Sequence, residues 1–346
     1  MRKFVALICA AIIVAVSCPA LAAGKLNILT WAEYIDPEVM RDFQVKYGVK
    51  INLDYYETNE QMLEKLQEAG AGRYDIIVPS SYLVPSLRSL GLIQPLNRDL
   101  LPDIKNLDSR FTKMETDPGN KWCVPYLWGT TGLAVRTSDI EQVPSSWRLI
   151  YDPKAEIGPF TIIDSPRDAI GSALKYLGYS INSTDPKAIE EAVRLINETK
   201  KRETFAGFES GLSALNNIMN GAVVAAHSYS SETQRIKRDE ADIFYLIPDE
   251  GTEIWVDVVA IPAKAPNGDK AHAFINFLLN PEVGARVATY NHSATPNAVS
   301  RTYVPSEDLA NPAMYPDSAR EDLEFIIDLG PENRLYDEAW KQIKGE

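Results

Sequence analysis

The chain has 346 residues, of which 35 are basic and 48 acidic, giving a formal net charge of −13. That acidic excess argues against nucleic acid and anionic membrane as partners, and the length suits two domains of ordinary size. The composition is that of a globular protein, with no low-complexity tract and no internal repeat.

Residues 1–23 read as a removable secretory leader. Arg2 and Lys3 precede an uncharged apolar run over 4–16, and Ala20-Leu21-Ala22 supplies a small-residue cleavage pattern. The run is shorter than the ~20 residues a membrane span needs, and no later apolar run reaches ~18. Cys18, at the end of the run, is a candidate for lipid attachment, although Ala15 stands where a lipoprotein leader usually has Leu. Cys9 and Cys18 both fall in the leader region, which leaves Cys123 alone and excludes an internal disulfide. Flanked by Trp122 and Val124, Cys123 reads as a buried small hydrophobe.

Residues 25–30 predict a buried strand. Asp36 caps a helix with Pro37 at its first position and Glu38 in its first turn; Val39, Met40, Phe43 and Tyr47 recur at helical spacing, and Gly48 ends it. Val49, Ile51, Leu53 and Tyr55 alternate with polar residues, as in a strand. Asn59 reads as the cap of a second helix bearing Met62, Leu63, Leu66 and Ala69 and ended by Gly70. A strand over 75–78 and a helix over 82–90 complete βαβαβα, a parallel sheet covered by helices on both faces.

A second series follows, with strands over 133–136, 160–164, 205–208, 222–227 and 243–247. Helices over 168–177, 185–200 and 212–219 and one from Ser231 lie between them. Residues 255–261 alternate as a strand closed by Pro262, and helices over 270–279, 282–289 and 335–344 end the chain. The fold class is α/β, in two lobes.

Ligands of open α/β sheets bind outside the carboxyl ends of the strands. That rule selects Trp31, Glu33 and Tyr34, then Ser80 and Tyr82, then Asp164, Ser165 and Asp168, then Tyr229. These positions are rich in aromatics and carboxylates, which suits an alkyl ammonium ligand. Each ammonium needs an anionic acceptor, because a desolvated lone charge costs several kcal/mol. The methylenes need apolar walls, and aromatic faces also attract cations. Trp31, Tyr34, Tyr82, Tyr229 and Trp255 are candidate walls, and Glu33, Asp168 and Asp257 candidate acceptors. Plainer roles compete: an aromatic fills a core, and Asp168 suits the N-cap of the helix it precedes. Asp257 stands apart, because it sits between Val256 and Val258 in an apolar strand, where an acid needs a partner.

Catalytic constellations are missing from the sequence. His227, His272 and His292 have no metal-ligand spacing, and Gly70-Ala71-Gly72 lacks the third glycine of a dinucleotide loop. No nucleophile elbow or phosphate loop occurs. The expectation is a binding protein without catalytic residue, metal or cofactor.

Trp31-Ala32-Glu33-Tyr34, Tyr56-Glu57-Thr58-Asn59-Glu60 and Tyr74-Asp75-Ile76-Ile77-Val78-Pro79-Ser80-Ser81-Tyr82 form the first part of a longer pattern. Val124-Pro125-Tyr126-Leu127-Trp128-Gly129-Thr130, Trp255-Val256-Asp257, Ala260-Ile261-Pro262-Ala263, Ile275-Asn276-Phe277-Leu278-Leu279 and Thr295-Pro296-Asn297 continue it in order. In these segments the chain resembles the periplasmic spermidine/putrescine-binding proteins of ABC importers. The resemblance implies a two-lobed periplasmic-binding-protein type II fold with the ligand cleft between the lobes. Lobe one would be 24–131 plus 256–296, and lobe two 132–255 plus 297–346. It further implies a monomer in the periplasm that binds putrescine or spermidine and delivers it to an inner-membrane ABC permease and its ATPase. The family's ligand positions fall on Trp31, Glu33, Tyr34, Ser80, Tyr82, Ser165, Asp168, Tyr229, Trp255 and Asp257. Four positions depart from the pattern. Ser165 stands where a second-lobe Asp is common, Ser293 where a Tyr is, Ile326 where a Gln is, and Tyr229 where Trp is frequent. The missing carboxylate keeps two rivals open. One is an amino acid or other small organic cation, with Arg167 to bind a carboxylate; the other is a sensory module that presents its ligand to a receptor.

Overall fold

The computed structural model describes residues 24–68, 72–140, 143–209, 211–237, 242–317 and 320–345. The leader, with Cys9, Cys18 and the cleavage pattern, lies outside the described residues, as do Gly70 and Ala71.

The first lobe opens with β1 (Gly24–Trp31), α1 (Pro37–Tyr47), β2 (Val49–Tyr56), α2 (Asn59–Glu68), β3 (Ile76–Ile77), α3 (Val84–Ser89) and the short α4 (Ser109–Thr112). β1 pairs in parallel with β2 from Gly24↔Val49 to Trp31↔Tyr56, and with β3 on its other edge. Apolar residues of β1 alternate between two cores: Leu26 and Ile28 pack with Phe43 and Phe274, and Leu29 with Met62 and Leu87. Both faces are therefore covered, as a parallel sheet requires. The ends of α1 follow the local sequence. Asp36 accepts the Glu38 N–H at 2.7 Å, and Gly48 closes the helix at φ 62°, where a side chain would be strained.

The cap expected at Asn59 belongs to its neighbour. The Thr58 hydroxyl accepts the Gln61 N–H at 3.2 Å, and the Asn59 amide is turned towards Ser80 and Tyr82. Thr58 and Asn59 are both good caps, so the sequence does not decide between them.

The chain leaves the first lobe along β4 (Cys123–Arg136), a strand of 14 residues rather than the short strand expected over 133–136. Its first half pairs antiparallel with β9 (Glu253–Ala260), and its second half with β7 (Ala225–Tyr229) and β8 (Ile243–Leu246). All but its last residue are buried, which erases the alternation that marks a half-exposed strand. Gly129 and Gly132 add to the disguise. A Cβ at Gly129 would lie 2.5 Å from the Trp255 ring and 2.6 Å from Ser230 Oγ, so neighbours press on the strand too closely for a side chain.

The second lobe adds α5 (Arg148–Tyr151), β5 (Phe160–Ile163), α6 (Pro166–Tyr176), α7 (Pro186–Thr199), β6 (Phe205–Glu209), α8 (Gly211–Met219) and α9 (Ser230–Lys237). The two sheets share β4: β2-β1-β3-β9-β4 in the first lobe and β4-β7-β5-β6, with β8 on β4, in the second. After β9 come α10 (Gly268–Leu278), α11 (Pro281–Tyr290), α12 (Ser306–Leu309), β10 (Glu324–Phe325) and α13 (Asn333–Lys344). The sequence assigned 297–346 to the second lobe, but Arg301 and Tyr315 pack on the first, while Asn311 between them reaches Gln234 of the second at 2.6 Å. Arg301 pairs with Asp108 at 2.8 Å, and the Tyr315 ring packs edge-on against Trp128. The return comes later. β10 pairs beside Glu253 and Ile254, and Tyr336, Ala339 and Ile343 of α13 join the second-lobe core. Cys123 is fully buried, and burial together with neighbouring Asp117 holds its thiol well above its ordinary range.

Candidate functional site

Three chain segments meet at one corner of the first lobe. β1 ends at Trp31, β3 runs out through Pro79 and Ser80, and β9 passes beside them with an isolated bridge between Ser80 and Asp257. Asp257 is 8 % exposed. Tyr34 Oη donates to its Oδ2 at 2.6 Å and Ser80 Oγ to its Oδ1 at 2.8 Å. Burial pushes the carboxyl up to about 6, against the downward pull of those two hydroxyls, and no cationic side chain among the described residues adds to that pull. Asn59 supports the arrangement from behind. Its Nδ2 donates to Ser80 Oγ at 3.2 Å and to Tyr82 Oη at 3.1 Å, and its Oδ1 accepts the Ser80 N–H at 3.3 Å. Tyr126 Oη and Asn291 Nδ2 donate to the Tyr34 carbonyl and fix that loop.

The walls are aromatic. Trp31 packs on Tyr56 with ring centroids 4.4 Å apart, and Tyr229 meets Trp255 edge-on at 6.2 Å. Tyr82 reaches across to the second lobe, where the Arg167 guanidinium lies 5.7 Å from its ring. Burial holds the Tyr34, Tyr82 and Tyr229 phenols well above their ordinary range, so all three remain neutral donors.

The second-lobe side centres on Asp168, in the first turn of α6 and 7 % exposed. Ser165 is the N-cap of α6, and its hydroxyl donates to Asp168 Oδ2. Asp168 therefore does not cap the helix. Glu253, at the start of β9 and 3 % exposed, lies close enough to Asp168 to feel its charge. Burial first, and then the Asp168 charge, push the Glu253 carboxyl well above the carboxylate range. Glu232 of α9 is raised to about 7 by burial, with Asp168 adding to the rise and Arg235 and Ser228 opposing it. His227 stands behind this group with no partner on either ring nitrogen among the described residues; burial lowers it to about 4, so it stays neutral against Trp147.

Arg167 is 8 % exposed. Its terminal nitrogens donate to Ile327 O, Asn333 Oδ1 and Asn182 Oδ1 at 3.1, 3.3 and 2.9 Å, all within the second lobe. Among the described residues no group of three or more His, Cys, Asp or Glu could hold a metal ion. No helix there is long and apolar enough to cross a membrane.

A profile of the bacterial extracellular solute-binding proteins matches residues 38–316. The chain belongs to that family. It is a family of solute-binding proteins and not of enzymes. The spermidine/putrescine-binding periplasmic protein of Escherichia coli K12 is 33% identical over 93% of this chain and 92% of its own length. The putrescine-binding periplasmic protein PotF of the same strain is 31% identical over 99% of this chain and 98% of its own. Among solved structures, the spermidine/putrescine ABC transporter substrate-binding protein PotD from Streptococcus pneumoniae superposes with a TM-score of 0.82 at 29% identity, covering 93% of this chain and 99% of that one. The α/β periplasmic-binding-protein fold expected from the sequence is the fold of these relatives.

In this solute-binding protein the positions read from the sequence fall into three groups. Trp31, Tyr34, Ser80, Tyr82 and Asp257 come together at the first-lobe corner, with Tyr229 and Trp255 beside them. Ser165 and Asp168 form the second-lobe end. Glu33 stays apart from both: its side chain is 69% exposed, at φ 56°, in an ion pair with Arg235 of the opposite lobe at 3.2 Å. Asp164, next to Ser165, is drawn away by Lys344 at 3.0 Å. Ser293 is buried with its hydroxyl on Asn291 O, and Ile326 is buried. The sequence reading missed Asn59, Glu232 and Glu253. For Glu253 a signal existed: it stands two residues before Trp255 and four before Asp257, on the same face of one strand.

Proposed function

We propose that this protein captures a linear polyamine, putrescine or spermidine, in the cleft between its lobes and delivers it to an ABC permease and its ATPase. We propose also that residues 1–23 export it to the periplasm, where it acts as a monomer. One observation carries the reading: carboxyl groups are buried at both ends of an aromatic-walled cleft, and no side-chain cation is paired with Asp257 among the described residues. A ligand ammonium supplies that missing charge. Asp257, oriented by Tyr34 and Ser80, takes one amine and Asp168 another, while Trp31, Tyr82, Tyr229 and Trp255 enclose the methylenes and offer ring faces to the cations.

The relatives named for spermidine and putrescine support this choice of ligand, and the ABC transporter named for the Streptococcus pneumoniae structure favours import over sensing. Arg167 counts against an amino acid, since second-lobe oxygens already occupy its terminal nitrogens. Because the ligand touches both lobes, it favours the closed arrangement over any open one. Calorimetric titration of the mature protein with putrescine, spermidine and a panel of amino acids tests the proposal. Saturable binding of a polyamine is the expected result; binding of no polyamine at millimolar concentration contradicts it.

A further inference from the structure

We propose that Glu253 is a ligand-binding and specificity-determining residue, which supplies from the crossing strand β9 the second-lobe carboxylate that Ser165 does not. This inference rests on the polyamine reading above. Position 253 is not among those the family resemblance implied, and the strand's geometry selects it. Alternation along β9 sends Ile254, Val256 and Val258 into one core, and Trp255 and Val259 to the opposite side. Glu253, Trp255 and Asp257 therefore share the cleft-facing side. Four residues of strand put the Cα atoms of Glu253 and Asp257 roughly 13 Å apart, with the Trp255 ring between them. One strand thus carries an acid at each end of the cleft and an aromatic floor in the middle.

The second-lobe end holds two buried carboxyl groups side by side, Glu253 and Asp168. The charged and titratable groups acting with Glu253 among the described residues are Asp168 and Arg167 from α6, Tyr229 from β7 and Tyr245 from β8, and Glu232 of α9 faces Asp168. Glu324 of β10 stands opposite in register, with its carboxylate on Lys175 at 2.7 Å. Of the cations, Arg167 is bound to second-lobe oxygens and Arg235 is paired with Glu33. Buried beside the Asp168 charge without a dedicated cation, Glu253 keeps a proton. An incoming ammonium takes the place of that proton. The ligand enters in its cationic form, one proton leaves to solvent, and the two carboxylates then share the amine. Capture at this end is an exchange of a proton for an ammonium, so affinity rises with pH.

The test is calorimetric titration of putrescine and spermidine into the wild-type mature protein and Glu253→Gln at pH 6.5, 7.5 and 8.5, in buffers of differing ionisation enthalpy. Wild type should release close to one proton per ligand at pH 7.5 and bind more tightly as pH rises. Glu253→Gln should release markedly less and bind at least tenfold more weakly than wild type at pH 8.5, with the gap narrowing at pH 6.5. Titration of Asp257 and Glu232 is common to both proteins and drops out of their ratio. Equal affinity and equal proton release in the two proteins overturn the role of Glu253 and leave the polyamine reading standing. No binding of either amine to wild type overturns both. Should Glu253→Gln fail to fold, wild-type proton release at pH 8.5, above the titration of Asp257 and Glu232, decides: release supports the exchange and none overturns it.

Discussion

The two ends of the cleft handle buried negative charge in different ways. At the first-lobe end the buried Asp257 carboxylate is stabilised by two hydroxyl donors. At the second-lobe end two carboxyl groups, Asp168 and Glu253, are buried side by side, and a proton retained on Glu253 offsets their repulsion. Both solutions leave a place for a cation. The first is ready before the ligand arrives, because Tyr34 and Ser80 already fix the carboxylate; the second must first lose a proton. The contrast shows that the value of an acid in a binding site depends less on its type than on which donors reach it.

Substitutions can break that contrast. Asp257→Asn should have the largest effect, because it removes the buried carboxylate that Tyr34 and Ser80 hold at its end. Losing one partner of a buried charge pair costs ~3–5 kcal/mol, so polyamine affinity measured by calorimetry should fall at least about a hundredfold. The same change should stabilise the ligand-free fold. Asp257 ionises only above about 6 in the fold, against ~3.9 in an unfolded chain. The folded state therefore holds an extra proton between those values, and stability declines as pH rises through that window, with the full loss present above it. Denaturant titration at pH 7 should show Asp257→Asn more stable than wild type by about 2–3 kcal/mol, and its stability should be flatter between pH 4 and 6.

Asp168→Asn should come next, at about thirtyfold in affinity, because Glu253 remains to share the amine. A loss equal to that of Asp257→Asn would mean that the second-lobe pair does not act as two groups. Ser80→Ala should cost about tenfold, since a hydrogen bond to a charged group contributes ~1.5–3 kcal/mol. It should also move the pH dependence attributed to Asp257 further upward, a shift that NMR titration of the carboxyl reads directly. The smallest effect belongs to the rim. Glu33 and Arg235 are 69% and 42% exposed, and such pairs contribute ~0–1 kcal/mol. Arg235→Ala should change affinity by no more than about threefold, less still at high salt.

The first-lobe half of the site was largely legible in the sequence. Trp31, Tyr34, Ser80 and Tyr82 follow recognisable strands, and Asp257 was conspicuous between Val256 and Val258. The second-lobe half was less so. The strand containing Glu253 was read from Trp255 onward, which left the acid outside it; in the structure the strand begins at Glu253. Asn59 was hidden by chemistry, since the amide that would cap α2 is the one that braces Ser80 and Tyr82. Glu33 was selected by its place after β1, but the left-handed turn at φ 56° directs its side chain to the rim. The length of β4 and the late third crossing were obscured because a fully buried strand and an irregular segment have no hydrophobic period to read.

The central claim, that one linear amine is held by acids at both ends of the cleft, is tested most directly by a crystal structure of the mature protein grown with spermidine. The account predicts one amine nitrogen at charge-assisted hydrogen-bond distance, about 2.7–2.9 Å, from the Asp257 carboxylate. A second should contact both Asp168 and Glu253, with the chain lying along Trp255 between them. Spermidine bound at one end only, or bound without contact to Asp257, would contradict it.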